Sequence, residues 1–557
     1  GIETTTGPLG QGLSNAVGFA IAERHLSSIW GKKIFNHKTY AVVGDGCLME
    51  GISQEAISFA GKQKLNNLIV LWDDNGITID GAVSLSCITN QLDRFKASSW
   101  SVFECDGHNP DEINNALVMA KKSEFPSLVR CRTHIGYGSP NKQDSAASHG
   151  SPLGEDEIKK IRVIFEWDHP PFHIPKKIKT KWEETGKRGR EERELWQKRL
   201  GKLSRRRNAE FTRIFNSQLP LTLPKKLRSL KKEILKTAPS MASRKSSELT
   251  LKLINRVIPE TVGGSADLTG SNNTLTEGLN VMDHLNPMGR YIYYGIREHA
   301  MAAIMNGMSL HGGVIPYGGT FMVFADYARA AIRLSALMGL RVIYVMTHDS
   351  IGLGEDGPTH QPVEHLSMLR ATPNILIFRP ADAVETIESW EIALNHTTTP
   401  SVLALSRQNL SPVRTKYSAK NLVGQGAYVL KNSIGKCKVI LLASGSEVSI
   451  ALQAKVSLEE AHIGTRVVSI PCWELFEQQD TKYKKKVLPR GPIRIAIEAG
   501  VRHGWDKWLF GERGSEKKSF FIGMEGFGAS APANELYENY NITVKHIVSK
   551  AKEMLNR

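Results

Sequence analysis

YAVVGDGCLMEG (residues 40–51) and NNLIVLWDDNGITID (residues 66–80) decide the fold of this 557-residue chain. Each begins with a short apolar run that is followed at once by polar residues, which is typical of a buried strand ending in a loop. Between them, residues 50–64 place Ile52, Ala56 and Phe59 on one helical face. The order strand, helix, strand predicts a parallel α/β unit.

Two side chains with oxygen atoms, Asp45 and Asn75, follow the two predicted strands. Ligands bind at the carboxyl ends of parallel strands. A carboxylate, an amide oxygen and a backbone carbonyl, here that of Ile77, suit Mg²⁺ and the phosphate oxygens that usually accompany it. Gly44 and Gly46 allow a tight turn and the close approach of a ligand. Gly-Asp-Gly alone is more often a simple turn, so the second motif carries the prediction of a metal-held diphosphate near a helix N-terminus.

The positive charge of the chain is concentrated in one region. The whole chain has 72 Lys and Arg residues against 56 Asp and Glu residues, a net charge of +16, and residues 151–250 hold 26 of the former and 13 of the latter. No DNA- or RNA-binding motif accompanies this basic region. We therefore expect a solvated connector and no nucleic-acid partner, and keep a basic nucleic-acid binder as an alternative.

The cysteines and the apolar runs bear on the compartment. The six cysteines are scattered and form no CxxC pair: Cys47, Cys87, Cys105, Cys131, Cys437 and Cys472. This pattern favours reduced thiols in a cytoplasmic protein. No apolar run is long enough to span a bilayer and no signal peptide is visible, so we expect no membrane partner.

Alternation of apolar runs and helical stretches predicts an α/β fold of three doubly wound domains with mostly parallel sheets. We place the domains at residues 1–209, 210–417 and 418–557. Residues 165–240 are rich in Pro, Lys and Arg and are interpreted as an extended connector with helical patches. A helix is expected at residues 298–311.

The two opening motifs resemble the metal and diphosphate motif of thiamine diphosphate enzymes, in the form found in transketolases. The resemblance continues, in family order, through GIETTTGPLGQG (1–12), THIGYGSPNK (133–142), SHGSPLG (148–154), MASRKSS (241–247), GGSADLTGSN (263–272), YGIREHAM (294–301), THDSIGLGEDGPTHQPVE (347–364) and LSRQNL (405–410). It implies a thiamine diphosphate-binding fold with diphosphate-binding, pyrimidine-binding and C-terminal domains. It also implies thiamine diphosphate and a divalent metal, Mg²⁺ or else Ca²⁺ or another ion, as cofactors.

The activity implied by the resemblance is the transfer of a two-carbon ketol unit from a ketose phosphate to an aldose phosphate through a thiamine-bound carbanion. The partners would be sugar phosphates of the pentose phosphate pathway type. Because the family forms homodimers with each cofactor between two subunits, we expect a homodimer.

The resemblance assigns the cofactor-binding residues one by one. Glu298 matches the glutamate that hydrogen-bonds N1′ of the aminopyrimidine, and a raised pKa would suit its proton exchange. Phe321, Phe324 and Tyr327 match the aromatic pocket of that ring, although their spacing also fits one apolar helix face. The other matches near the cofactor are Gly7, Leu9, Gly46 and Asp267.

The substrate-binding residues are assigned in the same way. Arginine can hold a phosphate with two hydrogen bonds. The positions that match the family's sugar-phosphate set are Arg244, Ser271, His348 and Arg407. Asp356, His360 and His149 match residues that contact sugar hydroxyls or, for the histidines, move protons near the reacting carbonyl.

Transketolases usually carry a further segment, with active-site histidines, before the equivalent of Gly1. The chain is therefore interpreted as lacking its N-terminal segment, which keeps open a catalytically silent relative that acts as a binding or scaffold protein. The enzymatic alternatives are a formaldehyde-using transketolase and a 1-deoxyxylulose-5-phosphate synthase. The synthase is disfavoured because Glu50-Gly51 and DDNGITIDG follow the transketolase form.

Overall fold

The computed structural model describes residues 2–510 and 519–556. The contacts divide them into two units. The first unit contains residues 2–216, 282–289 and 310–313, and the second contains the remaining described residues. The ends of the predicted domains at Gly1 and Arg557 lie outside the described residues.

The first unit is built on a four-stranded, fully parallel sheet with the strand order β1-β2-β4-β3. Its strands are β1 (Thr39–Gly44), β2 (Leu68–Asp74), β3 (Ser101–Asp106) and β4 (Ser127–Arg132). Its helices are α1 (Gln11–Trp30), α2 (Asp45–Met49), α3 (Gly51–Lys62), α4 (Gln91–Ala97), α5 (Pro110–Lys122), α6 (Glu155–Ile164), α7 (Lys176–Gly201) and α8 (Arg205–Phe215).

The two strands predicted from the opening motifs are confirmed as β1 and β2, and the helix between them as α3. The burial expected of both strands is found in β2, but it is wrong for β1, an edge strand in which Val43 is the one buried residue. The tight turn expected at the glycines is wrong, because α2 begins directly at the end of β1. Neither Gly44 nor Gly46 has a positive φ. Asp45 is thus the first residue of a short helix, one residue beyond the sheet.

The basic region is mainly helical, which corrects the expected extended connector. The 26-residue helix α7 and the helix α8 occupy most of residues 176–215. None of the residues of α7 is buried, so packing contributes little to its stability. The helix depends on Lys, Arg and Glu, which are good helix formers. It is attached through Trp196, whose indole donates to the carbonyl of Ile34 at 2.8 Å.

The second unit begins with a six-stranded parallel sheet in the order β10-β11-β9-β8-β6-β7. The strands, with the short antiparallel pair β5–β12, are β5 (Met241–Ala242), β6 (Thr261–Ser265), β7 (Tyr291–Tyr293), β8 (Ile315–Phe321), β9 (Ile343–Thr347), β10 (Leu376–Phe378), β11 (Ser401–Leu405) and β12 (Asn409–Leu410). The helices are α9 (Leu223–Thr237), α10 (Ser243–Val257), α11 (Thr269–Asn272), α12 (Glu298–His311), α13 (Ala325–Leu337), α14 (His365–Arg370) and α15 (Ala383–Asn395).

Helices cover both faces of this sheet. Ile315 and Tyr317 of β8 share an apolar cluster with residues of α9, α10 and α15. Gly318 faces the other way, where a Cβ atom would lie 2.7 Å from the sulfur of Met305 in α12. Strands buried on both sides explain the continuous apolar runs in the sequence, and α12 confirms the helix expected at residues 298–311.

A five-stranded sheet in the order β13-β15-β14-β16-β17 completes the second unit, with only β13 antiparallel to its neighbour. Its elements are β13 (Tyr428–Lys431), β14 (Val439–Ala443), α16 (Glu447–Glu460), β15 (Thr465–Ser469), α17 (Trp473–Glu477), α18 (Thr481–Val487), β16 (Ile493–Val501), α19 (Asp506–Leu509), β17 (Ser519–Met524), α20 (Ala533–Asn539) and α21 (Val544–Leu555). Alternate residues of β14 enter two different apolar clusters, one with α16 and α21 and one with Trp473 and Trp505. The prediction of three doubly wound, mostly parallel α/β domains is confirmed.

The cysteines and the helices bear on two further expectations. All six cysteines are free thiols. Among residues 2–510 and 519–556, no helix combines the length and the apolar character needed to cross a bilayer. The domain borders at residues 209 and 417 stay predictions.

Candidate functional site

The predicted metal ligands lie at the carboxyl edge of the first unit's sheet. Strands β1 and β2 run parallel, with Gly44 opposite Asp73. Asp45 follows β1 directly and Asn75 follows β2 directly. Because the two strands are neighbours, both side chains leave the same edge of the sheet, which is where α/β proteins bind ligands.

The Asp45 carboxylate is buried and only half satisfied. Asp45 is 8% exposed, and its Oδ1 accepts a hydrogen bond from the Trp72 indole at 3.1 Å. Oδ2 is buried and has no hydrogen-bond partner among the described residues. Burial, and then the neighbouring Asp74 carboxylate, raise the pKa of Asp45 to about 6. A buried, unpaired carboxylate oxygen beside further acids is what a divalent cation would satisfy.

Asn75 and Ile77 form a turn next to this carboxylate. The Asn75 Oδ1 accepts the backbone N–H of Ile77 at 3.0 Å, which fixes the direction of the amide oxygen. A carbonyl oxygen has a second lone pair, so this bond leaves room for a cation. Among the described residues no three His, Cys, Asp or Glu side chains form a metal-binding group, so a cation here would need amide, carbonyl and phosphate oxygens in addition to the Asp45 carboxylate.

The predicted cofactor residues of the first unit include one close contact. A Cβ atom at Gly46 would lie 2.9 Å from Cδ1 of Leu9, so Leu9 packs on the helix backbone beside Asp45. Leu9 is nevertheless 49% exposed. Gly7 has a φ of 68°, a backbone conformation that favours glycine.

In the second unit, the predicted aromatic residues form a continuous group of rings. Phe321 ends β8, Phe324 follows in a 3₁₀ turn and Tyr327 lies in the first turn of α13. One helix face, which their spacing allowed, is therefore excluded. Phe321 and Phe324 stack with centroids 6.0 Å apart, and Phe324 and Tyr327 meet edge to face at 5.9 Å. The rings of His348 and His360 lie 3.8 and 6.2 Å from Phe321.

Glu298 is the first residue of α12 and is 9% exposed. Burial, and also the nearby Asp267 carboxylate, raise its pKa above the ordinary value. Asp267 is exposed and has a φ of 60° just after β6. A buried carboxyl group with a raised pKa keeps its proton to a higher pH than an exposed one, which suits a group that holds or exchanges a proton.

Positive and hydrogen-bonding groups gather near the end of β9. Burial, and then the neighbouring Arg407, lower the pKa of Arg244, and Arg244 donates to the carbonyl of Ser271 at 2.8 Å. Burial and then the charges of Arg244, Arg407 and His360 lower the pKa of His348 to about 3. The positive charge of Arg407 beside the partly buried Arg244 guanidinium favours an anion between them, such as a phosphate.

Two predicted residues are not joined to these groups. His149 is exposed after a 3₁₀ turn of the first unit, and its backbone N–H donates to Ala146. Asp356 is exposed in the loop after β9. Neither side chain has a hydrogen bond, ion pair or ring contact with another predicted site residue in the described part of the chain.

Several residues at the site were missed by the sequence analysis. Trp72 donates to Asp45, and Asn272 and Thr347 lead by hydrogen bonds to His348. All three residues lie within quoted motifs. The sequence alone does not indicate that a side chain of β2 reaches Asp45, or that a side chain of α11 reaches Thr347.

Family models match nearly the whole chain. The transketolase thiamine diphosphate-binding domain matches residues 1–220, the transketolase pyrimidine-binding domain residues 239–412, and the transketolase-like C-terminal domain residues 426–543.

Named relatives and solved structures agree with these matches. A transketolase of Rhodobacter capsulatus is 58% identical over 555 residues, covering 100% of this chain and 83% of that protein, and transketolase 1 of Vibrio vulnificus is 44% identical, covering 100% and 84%. The transketolase structure from Leishmania mexicana superposes with a TM-score of 0.93 at 41% identity, covering 100% of this chain and 82% of that one. A Pichia stipitis transketolase in complex with sedoheptulose 7-phosphate gives 0.92 at 37% identity, with the same coverage. The chain belongs to the transketolase family, thiamine diphosphate-dependent enzymes that transfer a two-carbon ketol unit.

Proposed function

We propose that this chain binds the diphosphate of its cofactor through a divalent metal, Mg²⁺ in the first place, held by Asp45, Asn75 and the carbonyl of Ile77. The observation that supports this proposal most is the buried Asp45 Oδ2 without a partner, since a cation would remove the cost of leaving it unpaired. Gly7, Leu9 and Gly46 would contact the cofactor from the same unit. Ca²⁺ or another divalent ion would fit the same oxygen donors.

The pyrimidine end of the cofactor is assigned to the second unit. Thiamine diphosphate, when bound, supplies the nucleophilic carbon of the reaction. Glu298, with its raised pKa, would hold the proton shared with the aminopyrimidine ring. Phe321, Phe324 and Tyr327 provide ring faces for stacking, and Asp267 lies near Glu298.

The substrate phosphate is assigned to Arg244 and Arg407, with Ser271 and His348 beside them. The repulsion between Arg407 and the partly buried Arg244 guanidinium would be relieved by a phosphate dianion. Asp356 would contact sugar hydroxyls, while His360 and His149 would bind hydroxyls or move protons near the reacting carbonyl. The Pichia stipitis relatives hold sedoheptulose 7-phosphate and xylulose 5-phosphate, and we infer that ketose phosphates of this kind are the donors.

At the level of the whole protein, we infer a homodimer that acts in the pentose phosphate pathway in the cytoplasm. The domain borders at residues 209 and 417 belong to the same proposal. The family shared with the relatives supports it, and no nucleic acid or membrane partner is required.

Calorimetric titration with thiamine diphosphate and Mg²⁺ tests the metal site first. We expect saturable binding by the wild-type chain and at least a tenfold weaker affinity in Asp45→Asn. Asp80→Asn is the matched control, because Asp80 is an exposed acid of the same segment and should bind as the wild type does.

Turnover of a ketose phosphate then separates binding from chemistry. Glu298→Gln should retain cofactor binding within about tenfold but lose about 10²–10⁴-fold in kcat. Glu535→Gln, an exposed glutamate in the first turn of α20, should leave turnover unchanged. Equal affinity in Asp45→Asn and wild type would refute the metal assignment, and unchanged kcat in Glu298→Gln would refute the proton assignment.

A further inference from the structure

A row of fully buried polar side chains leads from β6 to His348. The Ser265 hydroxyl lies 2.9 Å from Asn272 Oδ1, Asn272 Nδ2 lies 2.7 Å from Thr347 Oγ1, and Thr347 Oγ1 lies 2.9 Å from His348 Nδ1. Ser265, Asn272 and Thr347 are all 0% exposed. The large majority of buried polar groups make hydrogen bonds, so we assign the direction of each bond in the row by giving every buried donor an acceptor.

The first bond of the row sets its direction. The backbone N–H of Leu268 donates to the Ser265 hydroxyl oxygen at 3.1 Å, and an N–H group cannot accept. The Ser265 hydroxyl proton must then go to Asn272, which fixes the amide with Oδ1 towards Ser265 and Nδ2 towards Thr347. With the amide turned over, Ser265 would receive two donors and its own buried proton would have no acceptor in the row.

The hydrogen bonds keep the same direction as far as the histidine. Asn272 Nδ2 can only donate, so Thr347 Oγ1 accepts from it and has its own proton left to give. Its other partner in the described part of the chain is His348 Nδ1. The Thr347 hydroxyl therefore donates to Nδ1, which must carry a lone pair, and in the neutral ring the proton is on Nε2.

The surroundings of His348 hold the ring in this position. The Phe321 ring lies 3.8 Å from it, and its backbone has a φ of 61°, a conformation that is uncommon for a residue other than glycine. Nε2 has no hydrogen bond to any residue that the structure describes. An Nε2–H group beside Arg244 and Arg407 is a third donor for an anion, whereas an Nε2 lone pair would repel the anion.

We propose that Ser265, Asn272 and Thr347 are positioning residues that set His348 as the Nε2–H tautomer, so that a neutral histidine donates to the phosphate of the substrate. This rests on the proposed assignment of the phosphate to Arg244 and Arg407. Beyond that assignment, the proposal specifies that Nε2 of His348 carries the proton and that Ser265, Asn272 and Thr347 determine this.

The test uses inorganic phosphate as the probe and the full chain as the protein. Thr347→Val removes the hydroxyl and keeps the side-chain shape, and we expect about tenfold weaker phosphate binding in calorimetry. Thr347→Ser keeps the hydroxyl and should bind within about twofold of the wild type. Wild-type affinity in a folded Thr347→Val protein would overturn the proposal.

Two substitutions of His348 itself distinguish between the two tautomers. The amide N–H of Gln reaches the position of Nε2–H, whereas that of Asn reaches only the position of Nδ1. His348→Gln should therefore keep phosphate affinity within about threefold, and His348→Asn should lose about tenfold. Equal losses, or a greater loss in His348→Gln, would overturn the proposal.

Nuclear magnetic resonance of the ¹⁵N-histidine-labelled chain gives a readout that does not need turnover. The His348 signal, identified by its loss in His348→Gln, should show Nε2 protonated in the wild type and in Thr347→Ser but a changed protonation pattern in Thr347→Val. Protonation at Nδ1 in the wild type would overturn the inference whatever the activity. If this pattern is found but ketose phosphates are not turned over, the tautomer stands and the proposed function fails.

Discussion

Asp45 combines a functional requirement with a cost in stability. Its carboxylate is buried, has one oxygen without a partner and lies near Asp73 and Asp74. A buried charge of this kind is destabilising until an opposite charge arrives. In the absence of a metal, the ionised form of Asp45 therefore destabilises the folded chain.

From this we predict that Asp45→Asn stabilises the metal-free protein above pH 6. Because the folded-state pKa of about 6 lies above the ordinary value of 3.8, this group's stability contribution is present at low pH and is lost as pH rises through about 6. The substitution should remove that loss, about 1–3 kcal/mol at pH 8, and raise the Tm in thermal unfolding.

The same measurement with thiamine diphosphate and Mg²⁺ supplies the contrast. The wild type should gain Tm from the ligands by mass action, and Asp45→Asn should gain little. Asp80→Asn should resemble the wild type in both conditions. A lower Tm of the metal-free Asp45→Asn protein at pH 8 would show that the carboxylate is satisfied by the protein itself.

At the residue scale, sequence analysis could assign the residues that stand within family motifs, and their roles stay predictions. It could not find the row that ends at His348. Ser265 and Asn272 lie within one quoted motif, but Thr347 is 75 positions further along the chain from Asn272. Only the pairing of strands brings α11 to the end of β9.

Helix α7 is the element whose character differs most from its prediction. Its 26 residues are all outside the core, so it depends on intrinsic helix propensity. Gly186 and Gly189 lie in its middle, and a Cβ atom at either would meet no atom within 4 Å. Each glycine weakens the helix by about 0.5–1 kcal/mol relative to alanine.

We therefore predict that the double substitution Gly186→Ala/Gly189→Ala protects α7 without changing the core. Amide hydrogen exchange within residues 176–201 should slow severalfold, whereas the Tm of the protein should change by less than about 2 °C. Gly313→Ala is the contrasting variant, since Gly313 has a φ of 82° and a Cβ atom would lie 2.8 Å from Leu26 and Phe215. It should lower the Tm, and faster exchange in the double variant would contradict the prediction.

The last residue of α12 carries a pH-dependent contact within the first unit. His311 Nε2 lies 3.0 Å from His37 Nε2, and the rings are stacked at 5.1 Å. This contact needs one ring nitrogen to donate and the other to accept, so it is lost when both rings are protonated. Burial lowers the pKa of His311 to about 4 and also lowers that of His37.

Consequently, acid should weaken the protein over a defined range. Because the pKa of His311 is about 4 in the folded chain and 6.5 ordinarily, the unfolded chain binds this proton first, and stability falls as pH drops from about 6.5 to about 4. His311→Gln should flatten the Tm profile over this range. His462→Gln, with a solvent-exposed side chain, should leave the profile as in the wild type. An unchanged profile in His311→Gln would contradict this assignment.

Elements were predictable where one physical signal dominated. The apolar runs of β2 and β9 belong to inner strands of their sheets and are largely buried, so their continuous apolar character marks them as strands. The basic region lacks such a signal, because polar residues serve exposed helices and loops equally well. The short helix α2 was missed since its glycines also fit a turn.

For the whole molecule, the proposed homodimer is open to a direct test. Sedimentation velocity should give twice the mass of one chain when thiamine diphosphate and Mg²⁺ are present. The exposed apolar side chains of Leu285, Ile296 and Tyr327 are candidates for surface that a second copy would cover. A monomer with full cofactor affinity would contradict the dimer. The net charge of +16, by contrast, gave no information about fold or assembly.

The strand order of the six-stranded sheet has a consequence for how the chain is made. Strand β11 lies between β9 and β10, yet it follows both in the sequence, with residues 401–405 the last to be synthesised. At about 5–20 residues per second, a ribosome needs about 3–12 s to proceed from the end of β9 at residue 347 to the end of β11 at residue 405. Throughout this time β9 has an open edge on that side. Nascent chains should therefore require protection from aggregation until residue 405 has left the ribosome.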